Sequence, residues 1–97
     1  MPDNRRIYPV KASVTPELLA VELADGRSVS VPTLWFPRLA EATEAERANV
    51  ELTRDGLHWP DLDEDVSVAG LLTGRRSGES PASLDRWLKR RREADAV

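Results

Sequence analysis

Cysteine is absent from the chain, which removes disulfides, thiolate metal sites and cysteine nucleophiles. Histidine occurs once, at His58, and tyrosine and phenylalanine occur once each. No apolar run exceeds a few residues, so no transmembrane helix is expected. No apolar core follows Arg5 and Arg6, so the start of the chain does not read as a secretory signal, and a cytoplasmic location is expected. Also missing are a glycine-rich phosphate loop and a serine or threonine in a recognisable nucleophile elbow. Together these absences predict a protein that is not an enzyme, with no catalytic residues and no cofactor.

What is present suits one small globular domain. The 97 residues are 40% hydrophobic and 32% charged, outside the range of a disordered chain. Surface scaling gives about 5,500 Å² folded against about 15,700 Å² unfolded, enough burial for one thin two-layer core. Charge is unevenly spread: residues 1–72 carry thirteen acids and seven bases, and residues 73–97 carry four acids and seven bases. An acidic body with a basic tail predicts electrostatic pairing, with the body itself or with a partner.

Residues 7–32 read as an antiparallel meander. Val10, Ala12 and Val14 alternate with polar neighbours, as do Leu19, Val21 and Leu23, then Val29 and Val31. A two-residue Asp25-Gly26 loop would put the apolar sets on opposite faces. A three-residue loop, Ala24-Asp25-Gly26, pairs Val21 with Val29 and Leu19 with Val31, and gives Gly26 the left-handed position. A four-residue turn at Thr15 to Leu18 then pairs Val14 with Leu19, Ala12 with Val21 and Val10 with Leu23.

Pro37 is tolerable only in a first helical turn, so a short helix is expected to start at Thr33 or Leu34. Leu34, Trp35, Phe36 and Leu39 should lid one end of the sheet. Thr43-Glu44-Ala45-Glu46 matches a capping box for a second short helix reaching about Arg47. From Asn49 to Trp59 a second hairpin is expected. An Asp55-Gly56 turn would set Leu52 opposite Trp59, with His58 on the other face beside Thr53. Pro60 ends that strand.

The stretch from Leu57 to Leu72 gathers the single histidine and the densest run of carboxylates. Asp61, Asp63 and Asp65 reproduce the first three ligand positions of an EF-hand loop, but Val66 stands where glycine is needed and Leu72 where glutamate belongs. No metal site is therefore expected. Asp63 is read instead as a helix N-cap, with Glu64 and Asp65 in the first turn, before a buried stripe of Val68, Leu71 and Leu72 that stops near Gly74. His58 is read as an outward strand residue, and a small enzyme built on it is the least favoured reading. Residues 73–80 are a linker, and Ser80-Pro81 starts a C-terminal helix over 81–93, with Leu84, Trp87, Leu88 and Arg91 on one face. The fold class is α+β: a three-strand meander plus a second hairpin, short helices and a C-terminal helix, in one domain over 1–97.

Asp25-Gly26-Arg27, Val31-Pro32 and Trp35-Phe36-Pro37-Arg38-Leu39 open a set of short motifs. Gly56-Leu57-His58-Trp59-Pro60, Leu62 to Val68, and Gly70-Leu71-Leu72 continue it, and the tail adds Ser77-Gly78-Glu79-Ser80, Leu84 and Trp87-Leu88. From Asp25 to Trp87, about two-thirds of its length, the chain resembles a small bacterial family known only as a domain of unknown function. His58, Trp59, Pro60, Asp63, Glu64 and Asp65 are the structural signature of that resemblance. The resemblance implies a small α+β fold. The resemblance also implies that some relatives carry an added helix-turn-helix, which is not expected in this chain, and that others are partners of a small presumed toxin encoded alongside. It implies no catalytic residues.

The expected role is a non-catalytic protein-binding module, antitoxin-like, whose partner is a protein encoded nearby. Trp35, Phe36, Trp87, Arg90, Arg91 and Arg92 are the candidate contacts. An exposed sheet edge also offers a route to a homodimer. The alternative is a nucleic-acid-binding regulator using Arg75, Arg76 and the basic tail, which should release salt-dependent counterions. No membrane contact is expected.

Overall fold

A computed structural model describes residues 7–95. Pro9–Val14 (β1), Leu18–Leu23 (β2) and Ser28–Pro32 (β3) form an antiparallel sheet in the order β1-β2-β3. Val21 lies opposite Val29, Leu19 opposite Val31, Val14 opposite Leu19 and Ala12 opposite Val21, as the turn lengths predict. Gly26 has φ 93°, and the Leu23 N–H donates to the Arg27 carbonyl at 2.8 Å across the bulged loop. The expected Val10–Leu23 pair does not form. Pro9 faces Leu23 instead, and the register shifts between Pro9 and Lys11, leaving Val10 50% exposed. A strand proline has no N–H for the ladder and collects at such irregularities, and the extra residue flips the side chain that follows.

The single helix expected from Thr33 divides in two: a 3₁₀ turn over Thr33–Trp35 and a helix at Pro37–Ala40 (α1) with proline in its first turn. Phe36 between them leaves the helical region at φ −127° and ψ 86°, as the clash with a following proline requires. Phe36 and Leu39 are buried, Trp35 is partly covered, and Leu34 points into solvent at 77% exposure, so the lid loses one member. Glu44–Ala48 (α2) begins with the expected capping box, both hydrogen bonds present. Arg47 then donates to the Leu39 and Ala40 carbonyls, each at 2.8 Å, closing the end of α1.

Glu51–Leu52 (β4), Gly56–Trp59 (β5) and Glu64–Ser67 (β6) form a second antiparallel sheet in that order. Two expectations fail here. The turn is Arg54-Asp55, flanked by a Thr53 N–H to Gly56 carbonyl bond of 2.8 Å, so Leu52 faces Leu57 rather than Trp59. Gly56 is needed inside the strand, because a Cβ there would lie 2.1 Å from the Val66 carbonyl oxygen. The carboxylate run is also not a helix cap: Asp63 is left-handed at φ 49°, and Glu64 and Asp65 belong to β6. The cap of Val68–Leu72 (α3) is Ser67, whose hydroxyl accepts from the Gly70 N–H.

The helix stop is as read. Gly74 has φ 77°, and its N–H and that of Arg75 return to the Leu71 and Gly70 carbonyls at 3.1 and 2.8 Å. Pro81–Asp95 (α4) follows its Ser80 cap and runs two residues past the expected end. Trp59, Leu19, Leu39, Leu57 and Leu62 are almost wholly buried in one core that also takes in Val68, Leu71 and Trp87. Among the described residues no helix is long and apolar enough to cross a membrane.

Candidate functional site

Among the described residues β6 has a strand partner on one side only. The Val68 N–H donates to the Asp55 carbonyl at 2.9 Å, and Leu57 and Trp59 face Val66 and Glu64. Ladder groups alternate in an antiparallel pair, so Asp65 directs its N–H and carbonyl away from β5, as does the Ser67 N–H. Along this open edge runs a cleft of about 440 Å³, walled by Asp63 to Ser67 on one side and Arg75 to Glu79 on the other. Buried Phe36, Val66 and Leu71 supply its apolar surface.

The far wall is the segment read as a linker, and it is fastened at four points. Arg75 N–H binds the Gly70 carbonyl, Ser77 N–H donates to the Trp35 carbonyl at 3.0 Å, and the Arg76 guanidinium lies 4.6 Å from the centre of the Trp35 ring. At the end of the strap Arg38 grips Glu79, with its Nε 2.8 Å from Oε1, and spends Nη1 on the Leu62 carbonyl at 2.8 Å. That pair is largely shielded from solvent, and hydrogen bonding from Arg38 holds the Glu79 carboxyl below its ordinary range.

Glu64 is the cleft's unusual group. Its ladder partner is Trp59, and alternation puts its side chain on the same face as buried Val66. Burial pushes its pKa up to about 7; Arg38 opposes the shift, while Glu79, Asp65 and Asp63 add to it. Among the described residues no hydrogen bond or ion pair reaches this carboxyl. Such a group readily accepts a cationic or hydrogen-bond-donating ligand atom. Asp65, on the opposite face, is 77% exposed and meets His58 Nδ1 at 2.8 Å. Asp61 accepts from Asn49 at 2.9 Å, so Asp61 and Asp65 are engaged with different partners.

The six candidate contacts are dispersed. Phe36 and Trp87 are 5% and 7% exposed, and Phe36 touches the cleft from beneath. Trp35 is half-covered by Arg76, Arg91 is engaged with Glu46, and Arg90 and Arg92 stand in solvent on α4. Of the signature residues, Trp59 is inward, donating its indole N–H to the Arg47 carbonyl at 3.1 Å, and His58 is outward. Sequence reasoning missed Arg38, Glu79 and the inward set of Glu64 and Val66. The available signal was the two-residue spacing of Glu64 and Val66 before Ser67, itself a helix-capping residue.

These features define a small α+β domain: two three-stranded antiparallel sheets on one core, a docked C-terminal helix, and an open cleft beside an edge strand. The chain belongs to the family described as "Protein of unknown function (DUF2442)", whose model matches residues 9–77. Two solved structures are similar. One, a protein of unknown function from Rhodospirillum rubrum, shares 28% identity at a TM-score of 0.64, over 74% of this chain and 92% of that one. The other, an uncharacterized protein from Chromobacterium violaceum, shares the fold at 24% identity and a TM-score of 0.64, over 73% of this chain and 69% of that one. No curated protein matches.

Proposed function

We propose that the protein is a non-catalytic protein-binding module, the antitoxin-like half of a bacterial two-component pair. The observation that carries this reading is the cleft beside β6, where unpaired backbone groups, an apolar base and an unmatched carboxyl share one opening. Unpaired strand edges are a common means of holding another chain. Co-expression with the product of the adjacent gene tests it. A stoichiometric complex on size exclusion is the expected result, and a neighbour that fails to co-purify removes the reading.

A second reading has one observation in its favour. Arg86, Lys89, Arg90 and Arg92 all remain exposed on α4, although Arg91 turns inward. A nucleic-acid regulator using this face and Arg75 and Arg76 would lose affinity steeply as salt rises. Filter binding that is undetectable, or indifferent to salt, rejects it.

A further inference from the structure

We infer that the cleft accepts an extended strand of a partner protein as a fourth strand beside β6, with a lysine or arginine opposite Glu64 and an aliphatic residue opposite Val66. This rests on the protein-binding reading and specifies its partner. The backbone provides the first reason. Asp65 offers both an N–H and a carbonyl, and Ser67 an N–H, toward the cleft, whereas the Ser67 carbonyl already belongs to the first turn of α3 as its N-cap. Three ladder groups with that spacing match a strand and not a helix.

Side-chain parity provides the second reason. Glu64 and Val66 lie two residues apart on the inner face, beside Phe36 and Leu71. Residues of an incoming strand that face them are therefore also two apart, one meeting a carboxyl and one an apolar surface. The residue between them projects outward, toward exposed Asp65.

Charge provides the third. Arg38 is committed to Glu79 and the Leu62 carbonyl, and Arg76 lies over Trp35, so the guanidiniums nearest the cleft are already engaged. Asp65 meets His58 Nδ1, whereas no ion pair among the described residues reaches Glu64, and the Arg38 charge that acts on it is already paired with Glu79. The remaining arginine of the wall, Arg75, lays its side-chain stem beside Gly70, and among the described residues no ion pair joins it to Glu64.

A blocked peptide, Thr-Val-Thr-Lys-Thr-Val-Thr, presents the required spacing in either strand direction and serves as the probe. Titrated at millimolar concentration into the labelled full chain, it should shift the Asp65 and Ser67 amides first. The same peptide with glutamate in place of lysine should bind about tenfold more weakly. Asp65→Pro removes an N–H that points away from β5, so the sheet keeps its ladder while the peptide loses at least about tenfold in affinity. Glu64→Gln, which leaves the backbone alone, should weaken the lysine peptide several-fold and the glutamate peptide not at all. Shifts confined to another surface, or unchanged affinity in Asp65→Pro, overturn strand addition at β6. Equal binding of the two peptides overturns the basic partner. In the co-expressed complex, an Asp65 amide that exchanges as fast as in the free chain ends the inference while leaving the protein-binding reading intact.

Discussion

Arg91 places its two terminal nitrogens 2.9 and 2.7 Å from the two carboxylate oxygens of Glu46, joining residues 45 positions apart in sequence. The same carboxylate accepts the Thr43 N–H at 2.8 Å, so one side chain both starts α2 and receives α4. Between the fastenings sits Trp87, with the Arg91 guanidinium 4.5 Å and the Arg38 guanidinium 5.0 Å from its ring centre. Glu79, bound to Arg38, completes the arrangement. The helix is held by two arginine–glutamate pairs around one indole.

Acid should loosen this joint first. Hydrogen bonding from Arg91 lowers the Glu46 pKa from 4.5 to about 2, against the opposing effect of burial. A carboxyl depressed on folding stabilises the fold above its unfolded pKa, and the contribution disappears as pH falls through the folded value. Allowing for partial exposure, Glu46→Gln should cost about 1–3 kcal/mol at pH 7. The difference from wild type should shrink between pH 4.5 and 2 in urea unfolding. A pH-independent difference would contradict the pairing.

Glu64 should behave in the opposite sense. Its folded pKa of about 7 exceeds the ordinary 4.5, so folding favours the protonated form and stability declines as pH rises through that interval. Glu64→Gln should therefore stabilise the protein by about 1–3 kcal/mol at pH 8 and by little at pH 4. Denaturant midpoints at the two pH values measure it.

Gly56→Ala should be among the most damaging small substitutions. The added methyl meets a backbone carbonyl across the β5–β6 ladder at 2.1 Å, where no side chain can move aside. A loss of about 3 kcal/mol or more is expected. Gly26→Ala meets no atom within 4 Å and carries only the left-handed backbone cost, about 1 kcal/mol. Equal thermal midpoints for the two variants would show that Gly56 is not held at close approach.

Trp87→Ala should cost about 3–5 kcal/mol as a cavity opens under α4. Trp87→Phe keeps most of the apolar contact and should lose about 1 kcal/mol, largely the guanidinium–indole attraction. Amide exchange along α4 should rise in the alanine variant before it rises in β2.

The first sheet was legible because its strands alternate strictly and only one pair of turn lengths aligns Val21 with both Val29 and Ala12. The bulge at Val10 carried no such signal, since a single unpaired residue leaves the pattern on either side intact. At the second hairpin, Asp55-Gly56 has the composition of a turn, yet the glycine answers to the Val66 carbonyl, a contact from a strand not yet placed. The start of β6 reads instead as a first helical turn, because Glu64 and Asp65 after Asp63 suit free backbone N–H groups and the helix dipole. Only its inward half, Glu64 and Val66, is covered at all. The cleft was invisible for a related reason: half of the strap's fastenings are backbone bonds, as with Ser77 on the Trp35 carbonyl, which leave no residue signature, and the Arg38–Glu79 pair joins residues far apart in sequence.

The three indoles stand at three different joints. Trp59 is sealed in the core and hydrogen-bonded to Arg47, Trp87 lies beneath the last helix between charged neighbours, and Trp35 is partly open to solvent under Arg76 at the strap. Intrinsic emission from single-tryptophan variants thus has three separable sources, one following collapse of the sheets, one the seating of α4, and one the wall of the cleft. The molecule carries its own optical labels, and a partner that enters beside β6 should recolour Trp35 while leaving Trp59 dark to its arrival.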